Sequence, residues 1–415
     1  MKRLPLALQD SNFRLFWAGA TVSSIGSQFT TIAMAWQIYQ LTNSPLQIGL
    51  LGLGRAIPQI ALSLVGGLLA DVADRRKLLI VLQVFQCSIS SLLMVLTLTG
   101  DINPQILFGA ALLLAFGSSL ESPPRQAIVP NLVAPDRLGP AIALNNTQRS
   151  IATVVGPSLA GVVLAGLGAT WCYSIDALSW IVMLSALLAI KIHPSAVKHT
   201  VRVSGTALVA GLKFVRTQPV ILSFMIMDFG ATLFGASTAL FPVFARDILS
   251  VGAVGLGLMY PAPSVGALLA AMMMSIRSQV ISVGRYILLG AAAYALCVMV
   301  FALSHIVWLS LLLLAGSGAG NAVSTILRGL TNQVLTPDEL RGRVAAVNAA
   351  FVSSGPQLGQ FESGVVAGLW GARVSAFTGG AGAAVFVFAV ALIPAVRTFS
   401  LRQKSPEIAQ QNASG

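Results

Sequence analysis

The sequence predicts an all-α membrane protein of twelve transmembrane helices in two pseudo-symmetric six-helix halves. Three observations carry this expectation. The 415 residues are 56% hydrophobic and 9% charged, whereas soluble chains carry about 25% charged residues, so too little polar surface exists to face water all round. Apolar runs long enough to cross about 30 Å of hydrocarbon recur along the whole chain. Finally, Val133-Ala-Pro-Asp-Arg-Leu138 returns 202 residues later as Leu335-Thr-Pro-Asp-Glu-Leu340. Each copy leads into an apolar helix holding a Gly-Pro pair, and these helices end alike, Gly161-Val-Val-Leu-Ala-Gly-Leu-Gly-Ala169 and Gly364-Val-Val-Ala-Gly-Leu-Trp-Gly-Ala372. Such a period far exceeds solenoid units of about 20–50 residues and marks a duplicated half-protein. In a membrane, two similar halves can rock so that a site is exposed first to one side and then to the other.

The spans follow from apolar runs bounded by charges and by Gly, Pro and Asn clusters. The first half (1–192) gives about 13–40, 46–70, 78–99, 104–124, 141–168 and 172–191. The second (219–396) gives about 219–246, 252–276, 285–304, 306–328, 343–370 and 374–396. Between them, 193–218 reads as a cytoplasmic linker. Leu208, Leu212 and Val215 stand at helical spacing there beside Lys213 and Arg216, the pattern of a short amphipathic helix on the membrane surface. Residues 397–415 are polar and read as a disordered cytoplasmic tail.

The net charge of +12 is distributed as a membrane protein requires. With the amino terminus cytoplasmic, 21 of the 25 Lys and Arg fall on the cytoplasmic side, Arg328 among them. Arg246 and Arg373 fall outside, and Arg55 and Arg149 fall within spans. This positive-inside split puts both termini in the cytoplasm and argues against a nucleic-acid partner. The basic start at Met1 lacks a cleavage site after a short apolar core, so the first span is kept as a helix. Cys87, Cys172 and Cys297 make neither a disulfide framework nor a metal motif. No P-loop occurs, which removes direct ATP coupling. No metal or cofactor is expected.

Gly66-Gly-Leu-Leu-Ala-Asp-Val-Ala-Asp-Arg-Arg-Lys77 joins the second and third spans. It resembles the cytoplasmic loop signature of the major facilitator superfamily, a Gly-x-x-x-Asp stretch before a basic cluster. Val72 replaces a common basic residue and Asp74 a common Gly, and the corresponding Ser275–Gln279 loop keeps only Arg277. Ala152–Gly161 resembles the fifth-helix Gly-Pro signature of the superfamily's antiporters. Pro123–Pro130 and Thr336–Arg343 resemble loops of the enterobactin-exporter-like and macrolide-efflux branch. The resemblance spans the whole chain. It implies a twelve-helix major facilitator fold and a secondary exporter of a small molecule, driven by the proton gradient in a bacterial inner membrane and acting as a monomer.

Charge within hydrocarbon costs about 2.5–3.5 kcal/mol on insertion scales, so each instance needs a reason. Arg55 shares a small, polar face with Gln59, Ser63 and Gly66; it serves either a substrate cavity or a bridge between helices. Arg149 lies on the stripe Asn145, Arg149, Ala152, Gly156 and Ala160 and serves either the cavity or a gate. Two such guanidiniums suit an anionic or chelating substrate, because the planar fork binds carboxylate or catecholate oxygens in pairs. Asp228 and Glu362 are the candidate proton carriers, since burial favours the neutral acid unless a cation holds the carboxylate ionised. Asp176 lies near the outer end of its span and is given a structural role. Gly67, Asp71, Arg75, Arg76 and Arg125 are expected to form a cytoplasmic gate in which Asp71 meets Arg125 and a helix dipole. Gly156-Pro157 and Gly355-Pro356 remove backbone donors in mid-helix and serve either as bends or as close-packing points.

Residues for a catalytic dyad or triad are missing, so an enzyme is not expected. Among exporters, the arginines favour a siderophore-like substrate over a hydrophobic drug or macrolide. An uptake permease and a non-transporting receptor are the other readings, since fold does not set direction.

Overall fold

A computed structural model describes residues 5–72, 74–190, 205–235, 237–276 and 282–400; side chains are left out at 60, 63–72, 205–210, 237, 338, 346, 350 and 353. The linker at 193–204 and the tail from 401 lie outside these residues. Among the described residues all regular structure is helical. The first half forms α1 (Ser11–Thr42), α2 (Pro45–Val72), α3 (Arg75–Thr99), α4 (Pro104–Ala127), α5 (Leu138–Leu167) and α6 (Ala169–Ala189). The rest forms α7 (Gly205–Thr217), α8 (Pro219–Phe234), α9 (Phe241–Val243), α10 (Gly252–Met259), α11 (Ala262–Ile276), α12 (Val283–Leu303), α13 (Val307–Leu335), α14 (Asp338–Trp370), α15 (Ala372–Ala391) and α16 (Pro394–Arg397).

Local chemistry sets the helix ends. Asn103 caps α4 by accepting from the Ile106 amide at 2.9 Å, with Pro104 in the first turn, where its missing N–H costs nothing. The joints α5–α6 and α14–α15 are single glycines, Gly168 and Gly371, at φ 86° and 89°. Only Gly enters that region without a Cβ penalty, so the duplicated helix ends of the sequence become duplicated joints.

Nine helical segments among the described residues are long and apolar enough to cross a membrane. α1, α2 and α14 are of comparable length, at 32, 28 and 33 residues, but are not among the nine. α14 shows why: Asp338, Glu339, Arg341, Arg343, Gln357 and Glu362 all lie on it. Large apolar side chains such as Ile276 and Trp308 are 83% and 78% exposed, a surface that water would not tolerate over such an area.

The chain divides into unit 1 (Met1–Val203 with Thr238–Pro261) and unit 2 (Ser204–Ser237 with Ala262–Gly415). Within unit 1, α1 packs on α5 and α6, α3 on α4 and α6, and α2 on α4. Within unit 2, α8 packs on α14 and α15, α12 on α13 and α15, and α11 on α13. Each pairing in one unit has its counterpart in the other, as duplication requires. The cores correspond too: Phe13, Phe16, Leu79, Met183 and Leu187 in unit 1, and Phe224, Met227, Ile287, Leu327 and Val387 in unit 2.

The seventh and eighth spans are not continuous helices. α8 stops at Phe234 and the chain resumes through a 3₁₀ turn (Ser237–Leu240), α9 and a π turn (Phe244–Ile248). α10 and α11 are separated at Tyr260 and Pro261. A helix broken at membrane depth is tolerated where its freed backbone groups find partners. The Tyr294 hydroxyl supplies one, donating to the Gly235 carbonyl at 2.7 Å.

Two elements depart from the sequence reading. α7 turns its apolar stripe onto protein, Leu212 and Val215 packing with Val344, Val347 and Met225. Gly211 lies so close to Arg343 that a Cβ would come within 2.7 Å of its carbonyl oxygen. The ordered chain also continues past 396, because Phe399 packs beside Val396 and its carbonyl accepts from the Gly284 amide at 3.1 Å.

Candidate functional site

Unit 1 holds both arginines expected at a substrate cavity, Arg55 and Arg149. Arg55 is half-buried on α2 next to Gln59, close enough to Tyr260 to interact with it electrostatically. The Tyr260 ring in turn meets Phe241 edge-on at 5.2 Å. Arg149 is exposed on α5 and lies within electrostatic range of Arg125; Asn145, one turn earlier, is half-buried. Among the described residues neither arginine has an acidic partner within salt-bridge distance.

Arg125 sits instead in a polar cluster that the sequence reading missed. Its Nη1 meets Glu121 Oε1 at 3.1 Å, one helical turn back on α4. Gln83 and Gln86 of α3 donate to the two oxygens of Glu121 at 3.1 and 2.8 Å. Arg125 Nη2 reaches α1, donating to the Ala20 carbonyl and Ser24 Oγ at 3.0 Å each, and Gln148 of α5 donates to the same carbonyl at 3.0 Å. Glu121 is 4% exposed. Its i,i+4 spacing to Arg125 is the signal that could have found it.

Asp176 of α6 is buried and accepts from Thr30 of α1 at 2.6 Å and Ser90 of α3 at 2.7 Å. This is an inter-helix tie, in keeping with a structural role. At the end of α1, Tyr39 donates to Asp247, and Arg246 lies over the Tyr39 ring while donating to Asn43 at 2.9 Å.

The signature loop works largely through backbone. Asp74 caps α3, accepting from the Arg76 amide at 3.0 Å. Arg75 donates to the Ala127 carbonyl at the end of α4 at 3.0 Å. Arg76 donates to the Leu187 and Leu188 carbonyls at the end of α6, at 2.8 and 2.9 Å. Both arginines therefore neutralise helix C-termini, where unpaired carbonyls and the dipole favour a cation. Gly67 and Asp71 lie on the last turns of α2, and their side chains fall outside the described residues. The expected Asp71–Arg125 contact falls there with them.

Gly156 and Gly355 are close-packing points inside their own units. A Cβ on Gly156 would come within 2.8 Å of Gln28 Cβ on α1. One on Gly355 would press into Thr232 on α8. Pro157 and Pro356 lie inside continuous helices beside them. One turn further on, Gly161 of α5 and Gly257 of α10 meet backbone to backbone, each filling the space the other's Cβ would need.

Unit 2 resolves the two candidate acids differently. Arg328 Nη1 meets Asp228 Oδ1 at 2.5 Å, and the two side chains keep only 9% and 10% exposure. Arg328 also donates to Thr325 at 2.9 Å. The charge pattern places Arg328 among cytoplasmic residues; the structure buries it on α13, where it neutralises Asp228. Glu362 of α14 is half-buried and accepts from the neighbouring Ser363 hydroxyl at 3.5 Å. No cation lies within salt-bridge distance of it among the described residues. A carboxyl in a membrane span needs a counter-ion or a proton, and Asp228 has its counter-ion in Arg328. Among the described residues no group of His, Cys, Asp and Glu could hold a metal ion.

The molecule is a duplicated helical bundle with charged side chains buried between its helices. Comparison with known families places it. Residues 5–412 match the family described as transmembrane secretion effectors, and the chain belongs to that family of the major facilitator superfamily, in its enterobactin-exporter-like branch. It is a multi-pass membrane protein and a secondary transporter, not an enzyme. It is 25% identical over 400 residues to the enterobactin exporter EntS of Escherichia coli O1:K1 / APEC, covering 95% of this chain and 94% of the relative. It is 26% identical over 351 residues to EntS of Citrobacter koseri, covering 84% and 83%. Its fold is similar to that of the nucleoside transporter NupG (TM-score 0.72, 14% identity, 92% and 98% covered). It is also similar to a bacterial homologue of the lysosomal transporter Spinster (TM-score 0.73, 14% identity, 96% and 100% covered).

Proposed function

We propose that the chain is a proton-coupled antiporter that exports an anionic, chelating small molecule of the catecholate siderophore kind, by alternating access across the bacterial inner membrane. The observation that carries this reading is the pair of arginines, Arg55 and Arg149, left without an acidic partner among the described residues. A guanidinium left without a counter-ion is open to an anion, and its planar fork matches paired oxygens. The name of the relatives, enterobactin exporters, supports the same substrate class and the outward direction. Glu362 is the proton carrier in this scheme, and Asp228 with Arg328 forms a standing ion pair elsewhere in unit 2. The twelve-span topology adds α1, α2 and α14 to the nine apolar segments. Both termini then face the cytoplasm, and the protein works as a monomer.

Hydrophobic drug or macrolide efflux is the second reading, and the exposed apolar face of α5, with Ile151 and Val155 beside Arg149, is what favours it. Everted vesicles energised with a proton gradient separate the two. Wild-type vesicles should accumulate a catecholate siderophore and not a macrolide or cationic dye, and the uptake should collapse with the gradient. Arg55→Ala and Glu362→Gln should each lower it at least tenfold while the protein remains inserted. Macrolide transport untouched by Arg55→Ala would replace this reading with the second.

A further inference from the structure

On the outer surface of unit 2, where α12 begins and α15 ends, lies a groove of about 790 Å³. Its length is apolar, walled by Leu289 and Ala292 of α12 and by Ala384, Phe388 and Ala391 of α15. Its mouth is basic. Arg285, in the first turn of α12, and Arg397, the last residue of α16, both line it and both are exposed. Among the described residues neither is in a salt bridge.

Backbone contacts hold together the two elements that carry these cations. The Gly284 amide donates to the Phe399 carbonyl at 3.1 Å. Gly284 also lies so close to the Val396 carbonyl that no side chain would fit. Val283, Val396 and Phe399 pack in one cluster beneath the mouth. This pins the α16 turn against the start of α12, so that Arg397 and Arg285 line the same groove. The amino end of α12 adds the positive pole of a helix dipole at the same place. From Arg285 to Ala292 the groove climbs seven residues, about 10 Å at 1.5 Å per residue, which is a third of one hydrocarbon thickness of about 30 Å.

We infer that this groove is a binding site for an anionic phospholipid, its phosphate held between Arg285 and Arg397 and an acyl chain lying along Leu289, Ala292 and Phe388. A free phosphate would satisfy the mouth but leave the apolar walls unfilled, and a zwitterionic lipid would fill the walls but bring a cation to the arginines. Only an amphiphile with a negative head meets both chemistries. The positive-inside pattern assigns this end of the helices to the cytoplasmic leaflet, where anionic lipids meet juxtamembrane cations.

The test is lipid binding to the purified full-length protein in detergent, read by native mass spectrometry. The probes are dioleoyl phosphatidylglycerol, dioleoyl phosphatidylcholine, glycerol phosphate and inorganic phosphate. Wild type should retain phosphatidylglycerol in preference to phosphatidylcholine, and millimolar glycerol phosphate or inorganic phosphate should not displace it. Arg285→Ala combined with Arg397→Ala should weaken retention about thirtyfold, taking about 1 kcal/mol for each cation near the surface and 1.4 kcal/mol per tenfold. The matching Lys pair should keep most of it, and Arg373→Ala, at a site remote from the groove, should change nothing. Equal retention in the wild type and the double alanine variant would overturn the site. Displacement by either soluble phosphate, or equal retention of the two lipids, would overturn the lipid as its occupant.

Discussion

Replacing Arg328 by Met, or Asp228 by Leu, removes one half of a buried pair and leaves the other charge uncompensated. The separation is 2.5 Å and the two side chains keep 9% and 10% exposure, so solvent cannot take over the lost partner. Breaking such a pair from one side costs about 3–5 kcal/mol, whereas replacing both charges with apolar groups of similar volume is often neutral or stabilising. Each single variant should therefore lose about 3–5 kcal/mol, and Asp228→Leu with Arg328→Met together should lose less than either alone. The measurement is a double-mutant cycle by reversible unfolding in mixed detergent micelles, followed by circular dichroism. A double variant whose loss equals the sum of the singles would refute the pairing. So would a cost below about 1 kcal/mol for Asp228→Leu, because a stranded guanidinium cannot shed its charge as a carboxylate can by taking up a proton. Transport measured on the double variant separates a pair that works in the cycle from one that only holds α8 to α13.

Glu121→Ala should strip the buried Gln83 and Gln86 amides and Arg125 of an acceptor. At about 1–3 kcal/mol for each unsatisfied donor, thermal unfolding in detergent should show a loss of about 3 kcal/mol or more, and a loss under 1 would remove the cluster's role. Gly161→Val and Gly257→Val should each collapse the yield of monodisperse protein on size-exclusion chromatography, because the added carbons meet backbone that cannot yield. Gly166→Ala, on the same helix but with open space around it, should behave as wild type.

How much of this was legible in the sequence depended on which groups carried the information. Helix positions follow from the length of apolar runs, which is why α3, α4, α6 and α12 fall within a few residues of their predicted spans. The repeat announces the Gly168 and Gly371 joints because the same residues are needed twice for the same positive φ. The breaks after Phe234 and at Tyr260 are hidden, since an apolar run reads as unbroken whether or not its backbone is. Arg328 was hidden for another reason. A cation at the end of an apolar run looks like the start of a loop, and only a tertiary partner, Asp228, holds it inside. Arg75 and Arg76 read as gate residues because carbonyl acceptors at the ends of α4 and α6 leave no mark on a sequence.

Arg125 and Arg328 show how the two halves have diverged from one plan. Arg125 stands eight residues before Val133 and Arg328 seven before Leu335, so the repeated segments place them at nearly matching depths on α4 and α13. Each ties its helix to the first helix of its own half. Arg328 does so by an ion pair, the acid coming from α8 itself. Arg125 is neutralised within its own helix by Glu121 and grips α1 only through the Ala20 carbonyl and the Ser24 hydroxyl. Hydrogen bonds to a charged group contribute about 1.5–3 kcal/mol, less than the 3–5 kcal/mol or so at stake in breaking a buried pair. When the α1–α4 contact loosens, Arg125 keeps its counter-ion; when the α8–α13 contact loosens, two charges are stranded. Parting α1 from α4 within unit 1 therefore costs less than parting α8 from α13 within unit 2.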